Sequence, residues 1–144
     1  MTSNVEALLP LAASIVPEDH ISIGRISDLL NSTYVDHIID DSGDVYVTDG
    51  VTFPLWLSLD TEVKLILMST YFEPEPEVTI EWLKKVNELN SSIMLPQFSY
   101  AEGRMWGRYW MTYDGGLNVR HFIKMLRRFA GAFRAGVEEL DLHS

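Results

Sequence analysis

Hydrophobic and polar positions recur with two different periods along this chain, and the first is helical. In "SIGRISDLLNST" (22–33) apolar residues return every three or four positions, which predicts a short amphipathic helix with Ser22 as its N-cap. The next segments, "YVDHIID" and "DVYVTD", flank "DSG" (41–43), whose residues suit a tight turn. We therefore expect a helix followed by a β-hairpin.

The middle of the chain changes to strict alternation. "FPLWLSLD" (53–60) and "EVKLILMSTYF" (62–72) each predict a strand, the first with Pro54 at its start or on a sheet edge. The prolines of "EPEPE" (73–77) end this run, because proline cannot sit in a central ladder. Together with the hairpin, these segments predict three or four strands before the chain returns to the helical period.

A second helix is predicted in "IEWLKKVNELN" (80–90), with Thr79 as its N-cap. Its apolar face is expected to comprise Leu83, Val86 and Asn90. Asn87 falls on the apolar side as well, where its amide most simply satisfies a neighbouring backbone group. We expect Asn90 to be the C-cap of this helix in the left-handed conformation.

The most aromatic stretch, "RMWGRYWMTY" (104–113), follows "LPQFSY" (95–100) across the turn "AEG", and Gly103 can take the positive φ that a hairpin turn needs. In a strand, alternate side chains point to opposite faces. One face is then Met105, Gly107, Tyr109, Met111 and Tyr113, and the other is Trp106, Arg108, Trp110 and Thr112.

The longest predicted helix is "VRHFIKMLRRFAGAFRAGVEEL" (119–140), with Asn118 as its cap. It has a continuous apolar stripe and a basic stripe of Arg120, Lys124, Arg127 and Arg134. The element order is therefore α-β-β-β(-β)-α-β-β-α.

Composition and charge fit one domain. The 144 residues, 47% of them hydrophobic, can form a single domain over 1–144, with residues 1–17 as an N-terminal extension. Residues 1–81 hold two basic and fifteen acidic side chains, whereas residues 82–144 hold nine and six. We expect the two halves to be neighbours that partly neutralise each other, and a partner-binding surface of either sign is the alternative.

The chain has no cysteine, which excludes disulfides, thiolate metal sites and cysteine nucleophiles and fits a cytoplasmic location. The apolar stretch at 7–16 is too short to span a membrane, and no basic residue precedes it as in a signal peptide. We therefore expect no membrane association.

No familiar catalytic or nucleotide-binding motif is present, and the four histidines lack metal-ligand spacing. Asp40, Ser42 and Asp44 alternate like the start of a calcium loop, but the required glycine and glutamate are missing, so an acidic hairpin turn explains them. His37 beside Asp36 has no recognisable nucleophile nearby. We expect no catalytic residues, no metal and no cofactor.

Three segments resemble one family: "DDSGDVYVTDGVTFPLWL" (40–57), "WLKKVNELNSS" (82–92) and "DGGLNVRHFIKMLRRF" (114–129). They look like bacterial sensory transduction regulators of the YbjN type, over about residues 18–142. The resemblance implies an α+β sandwich with the topology of type III secretion chaperones, in which an antiparallel sheet is flanked by helices. Such domains are similar to protein-binding modules that often dimerise, and the family offers no catalytic motif to transfer.

The row of Trp106, Arg108 and Trp110 has two interpretations. Aromatic rows are more often core, which favours burial under the last helix or the N-terminal segment. On an open face, Arg108 would instead lie between the indoles as a cation–π contact and the row would meet a partner.

We therefore expect a non-enzymatic, protein-binding or regulatory module that binds a client polypeptide or a second copy of itself. The candidate binding residues are Trp106, Arg108, Trp110, Arg120, Lys124 and Arg127. One alternative is a small-molecule sensor or enzyme with a pocket between helix and sheet near Asn87 and Tyr109. A single-strand nucleic-acid binder is less favoured, because the net charge is −10.

Overall fold

The structure, a computed structural model, describes residues 15–74 and 77–141. Its helices are α1 (Ile23–Ser32), α2 (Ile80–Ser92) and α3 (Val119–Asp141), with a 3₁₀ turn at Glu18–His20. Its strands are β1 (Ile15–Val16), β2 (His37–Ile39), β3 (Val45–Val47), β4 (Leu55–Asp60), β5 (Leu65–Phe72), β6 (Gln97–Ala101), β7 (Arg104–Thr112) and β8 (Leu117–Asn118).

Six strands form one antiparallel sheet in the order β2-β3-β4-β5-β7-β6, and β1 pairs with β8 in a separate two-stranded ladder. Within the six-stranded sheet, each strand pairs with the next one along the chain, except that α2 separates β5 from β6. The predicted α+β fold with an antiparallel sheet and helices is confirmed. Buried residues of all three helices pack against one face of the sheet, so the helices cover one side rather than two.

Side-chain caps fix the three helix starts at the predicted residues. The Ser22 hydroxyl accepts from the Arg25 N–H at 3.1 Å, and the Thr79 hydroxyl accepts from the Trp82 N–H at 3.1 Å. The Asn118 Oδ1 accepts from the His121 N–H at 2.9 Å. Each cap satisfies a backbone donor that the first helical turn leaves without a partner.

The first strand lies inside the segment that the sequence set apart as an extension. Ile15–Val16 pairs with Leu117–Asn118, and Val16 is buried in the core. Residues 1–14, part of the "EPEPE" segment (75–76) and residues 142–144 lie outside the described residues. Pro54 immediately precedes β4, as its predicted strand-start position requires.

The face of the sheet that carries the helices is here called the inner face. Phe133 of α3 is fully buried there, and its ring stacks on Phe98 of β6 with centroids 5.4 Å apart. Two glycines allow this close approach. A Cβ on Gly107 would lie 2.4 Å from the Phe133 ring, and one on Gly136 would lie 2.4 Å from the Phe98 ring. The helix therefore packs on the sheet at positions where side chains are absent.

The buried face of α2 differs from the predicted one. Trp82 is 4% exposed and donates its indole N–H to the Leu140 carbonyl at 3.2 Å, whereas Leu83 is 40% exposed. Asn87 is exposed and does not belong to the apolar side. Val86 is buried as predicted, but Trp82 and Leu89 take the places expected for Leu83 and Asn90. The reason is that α2 meets both β6 and α3, and the bulky indole fills the space between them.

Asn90 has a different role from the predicted C-cap. The helix continues to Ser92, and Ile93 is the C-cap. The Asn90 amide instead donates to the Phe98 carbonyl at 2.8 Å and accepts from the Phe98 N–H at 2.7 Å. These two bonds occupy backbone groups of β6 that point away from β7, so one side chain takes the place of a neighbouring strand at this edge.

Candidate functional site

The two faces of β7 have opposite surroundings. Met105 and Met111 point into the core beneath the helices, as the alternation predicts. Trp106 and Arg108 are half-buried and Trp110 is 50% exposed on the other face. Two covers were expected for this row. Burial under the last helix is wrong, because α3 lies on the inner face, and the other cover, the N-terminal segment, falls mostly outside the described residues. No helix of the described residues covers the opposite face, here called the outer face.

A ladder of four aromatic rings crosses the outer face from β3 to β7. The ring centroids of Tyr46 and Trp56 are 4.6 Å apart, and those of Trp56 and Tyr71 are 5.7 Å apart with planes only 7° from parallel. Tyr71 then meets Trp106 at 5.0 Å. Strand register produces the ladder, since Tyr46 lies opposite Trp56 and Tyr71 lies opposite Trp106 in adjacent strands.

Two arginines lie on this ladder. The Arg104 guanidinium carbon is 4.3 Å from the centroid of Tyr71, and that of Arg108 is 4.7 Å from the centroid of Trp106. Arg108 therefore contacts the indole of Trp106. The interpretation of the row as an open face expects it to lie between two indoles instead. Because both guanidiniums are partly exposed, each contact contributes about 0.5–1 kcal/mol.

A shallow depression of about 350 Å³ lies beside the ladder. The acidic turn between β2 and β3 lines one side of it with Asp40 and Asp44, and Arg104 lines another. Asp40 shapes this turn, because its Oδ1 accepts from the backbone N–H groups of Ser42 and Asp44 at 2.9 and 3.0 Å. Over residues 15–74 and 77–141, no three acidic or histidine side chains are grouped to hold a metal ion.

The basic residues of α3 form a separate surface. Arg120, Lys124 and Arg127 line a groove of about 520 Å³ with Thr33, which follows α1. The groove therefore lies in the helical layer, on the other side of the sheet from Trp106 and Trp110. The nucleic-acid alternative drew on stacking residues and phosphate contacts together, and the structure places the two sets on opposite sides.

The pocket that the sensor alternative placed near Asn87 and Tyr109 does not unite these residues. Asn87 is exposed on α2, whereas Tyr109 packs against the larger core cluster beneath α1 and α3. Residues of α2 belong to the other, smaller cluster.

One polar pair escaped the sequence analysis. The Ser27 hydroxyl oxygen lies 2.6 Å from His37 Nε2, and His37 Nδ1 lies 3.0 Å from the Val35 carbonyl oxygen. In the neutral ring, Nδ1 must carry the proton because a carbonyl can only accept, so Nε2 accepts from Ser27. The pair joins α1 to the edge strand β2, and its ten-residue separation across two elements leaves no local sequence signal.

An ion pair ties the start of the described chain to two turns. Glu18 Oε2 accepts from Lys64 Nζ at 2.8 Å and from the Gly115 N–H at 3.3 Å. The hydrogen bond from Lys64, and then that from Gly115, lowers the pKa of Glu18 from its ordinary value. The same hydrogen bond to Glu18 raises the pKa of Lys64. Both groups are therefore held in their charged forms.

Comparison with known proteins identifies a family and a solved structure that are similar to this chain. The family described as "Putative bacterial sensory transduction regulator", YbjN, matches residues 22–142. The crystal structure of YbjN from E. coli, described as "a putative transcription regulator", is similar with a TM-score of 0.71 and 14% sequence identity, covering 85% of this chain and 93% of that chain. At this identity the likeness shows the fold alone. No curated protein sequence matches the chain.

Within the described residues, no helix combines the length and the apolar character of a membrane-spanning segment.

Proposed function

The chain belongs to the YbjN family of bacterial regulators, and from this premise we propose that it is a non-enzymatic, chaperone-like module that acts by binding protein through its outer face. The observation that carries the proposal is the ladder of Tyr46, Trp56, Tyr71 and Trp106 on a sheet face that no described helix covers. A cytoplasmic location, consistent with a chain that has no cysteine, belongs to the same proposal.

The composition of this face is that of a protein-binding hot spot. Tryptophan, tyrosine and arginine are the residues whose truncation most often costs binding energy in protein interfaces. Here Trp106 and Trp110 stand beside Arg108 on one strand, and the ladder supplies further rings. Rigid rings lose little side-chain entropy when a partner covers them, and contiguous exposed apolar surface marks interaction sites.

The charges around the ladder favour a second copy as the partner. Arg104 lies on one side of the depression, and Asp40 and Asp44 lie on the other. When two identical faces meet about a twofold axis, each residue of one copy contacts the reciprocal residue of the other. A face with a basic and an acidic side can then pair unlike charges twice. A client polypeptide with apolar and acidic side chains would satisfy the same surface.

The experiment compares outer-face variants with a matched control on α2. Trp106→Ala and Trp110→Ala remove exposed or half-exposed rings, and Leu83→Ala removes an exposed apolar side chain elsewhere. Light scattering at rising protein concentration gives the mass, and circular dichroism reports folding. We expect the wild type and Leu83→Ala to dimerise alike, whereas folded Trp106→Ala and Trp110→Ala dissociate at concentrations at least about tenfold higher.

A photo-crosslinking amino acid at position 110, with position 83 as control, identifies the partner in cells. Crosslinks from position 110 to this chain support the dimer, and crosslinks to one different polypeptide support the client. If both tryptophan variants are folded and keep the wild-type mass, and position 110 crosslinks no more than position 83, the proposal is wrong.

A further inference from the structure

The groove between the end of α1 and the first half of α3 lies apart from the proposed protein-binding face. It has a volume of about 520 Å³, within the range of small-molecule sites. Its lining residues are Thr33, Arg120, Ile123, Lys124, Arg127 and Arg128. Ile123 is the apolar residue of this lining and is only 6% exposed, and four of the six lining residues are cationic.

These four cations have no acidic partner among the described residues. The chain has 21 Asp and Glu against 11 Lys and Arg, so acidic side chains are abundant. The described ion pairs nevertheless join other cations, namely Lys64, Lys84, Arg104 and Arg134. The four charges therefore lie together along one helix, uncompensated by described acidic residues, in a protein whose net charge is −10.

Helix electrostatics makes this arrangement unfavourable without a ligand. Lys124 is four residues from both Arg120 and Arg128, and like charges at this spacing repel on a helix surface. Arg120 also lies in the first turn of α3, which contains no acidic residue, close to the positive end of the helix dipole. Each of these costs is removed when an anion occupies the groove.

We propose that this groove binds a small molecule that carries a di- or triphosphate group. Guanidinium groups recognise phosphate oxygens through paired hydrogen bonds, and a lysine adds a compact charge. Four cations that line one groove match the several negative charges of a di- or triphosphate. Ile123 and the Thr33 methyl group then offer an apolar surface to the rest of the ligand.

A small ligand fits better than a polyanion because of the overall charge. Nucleic acid extends beyond the groove and meets the field of a chain with net charge −10. A small anion stays within a Debye length of about 8 Å, where the four cations dominate. The inference does not rest on the proposed protein-binding function, since it uses other residues on another face.

Calorimetry and thermal shift at an ionic strength of about 0.15 M test the inference, with pyrophosphate, tripolyphosphate and ATP as probes. We expect tripolyphosphate to bind and to raise the melting temperature of the full chain. Lys124→Gln and Arg127→Gln should each weaken binding by about tenfold, because each removes a charged hydrogen-bond donor. Both free variants should melt no lower than the wild type, since each substitution relieves repulsion.

The matched control is Arg134→Gln, which removes one charge from the same helix outside the groove, where Arg134 pairs with Glu138 at 3.3 Å. It should change the affinity by less than about twofold, since an exposed charge outside the groove is screened. Equal losses in Arg134→Gln and Lys124→Gln would show a general charge effect and overturn the inference. The Trp106→Ala variant should bind tripolyphosphate normally, which separates this site from the outer face.

Three competing ligands are tested with the same variants. The inference fails if citrate binds as tightly as tripolyphosphate, because recognition would then not be specific for phosphate. It also fails if a single-stranded oligonucleotide, or vesicles containing phosphoinositides, bind through Lys124 and Arg127 while tripolyphosphate does not. Binding of both tripolyphosphate and phosphoinositide vesicles supports phosphate recognition and identifies a lipid headgroup as one source.

Discussion

The inner and outer faces of the sheet are built from the same strands but are stabilised differently. On the inner face Phe133 is completely buried among Phe53, Phe72, Phe98 and Phe129, with ring centroids 4.8 to 6.4 Å away. On the outer face the four rings of the ladder lie 4.6 to 5.7 Å apart, yet all four remain partly exposed. Similar aromatic contacts therefore serve the core on one side and remain accessible on the other, because only the inner face has a second layer.

The largest expected effect separates these two faces directly. Phe133→Ala should lower the free energy of unfolding by about 3–5 kcal/mol, since it leaves a cavity under α3. Trp110→Ala, which removes a larger side chain from the outer face, should lower it by less than about 1 kcal/mol. Urea denaturation followed by circular dichroism measures both. Comparable losses would mean that the outer face is also packed as core.

Alternation in the sequence predicted the two rows on β7 and could not say which row is covered. Both rows carry large apolar or aromatic side chains, and the answer depends on where α3 returns to the sheet. That position follows from Gly107 and Gly136, which admit the Phe133 and Phe98 rings. The local sequence shows the two glycines but not the long-range ring contacts that they permit.

The helix caps could be predicted from the sequence because they are local interactions, whereas the covered face depends on long-range contacts. Ser22, Thr79 and Asn118 act on backbone groups three residues away, so a short window contains the whole interaction. Asn90 acts on Phe98 in another element, and the local C-cap interpretation was wrong. The Ser27–His37 pair was missed likewise.

A second test concerns β6, the strand at one edge of the sheet. Asn90→Ala leaves the outward N–H and carbonyl of Phe98 without their partners, so it should destabilise the fold by about 1–3 kcal/mol. Asn87→Ala, an exposed asparagine on the same helix, is the matched control and should have little effect. Chemical denaturation gives both values, and equal small effects would show that water replaces the amide.

A smaller effect sharpens the account of the outer ladder. Trp56→Leu removes the ring between Tyr46 and Tyr71 and should lower the free energy of unfolding by about 1 kcal/mol. Trp56→Phe keeps a ring at this position and should recover most of the loss. If the leucine and phenylalanine variants unfold alike, ring contacts do not stabilise the free protein.

The smallest expected effect is a pH dependence of stability. It distinguishes the contribution of an ion pair from that of ring packing on the two faces. The lowered pKa of Glu18 means that its contribution to stability is present above its ordinary pKa and is lost as the pH falls through the folded value. The raised pKa of Lys64 means that its contribution is lost as the pH rises through its folded value.

Thermal melts of the wild type and Glu18→Gln across pH should therefore differ most at neutral pH and converge in acid. The difference between Phe133→Ala and Trp110→Ala should change little over the same range, because neither ring titrates. A Glu18→Gln effect that persists unchanged in strong acid would contradict the ion-pair explanation.

The amide of Asn90 also limits how copies of this sheet can add to one another. A further strand can pair with the edge of a sheet only where the backbone N–H and carbonyl groups of that edge are free. A sheet with two free edges can therefore grow into a fibre. Here the β6 edge is occupied at Phe98, and Pro96 before it has no N–H to offer. At these two residues the β6 edge offers no free N–H to a strand of another copy, so growth of the sheet at this edge is hindered.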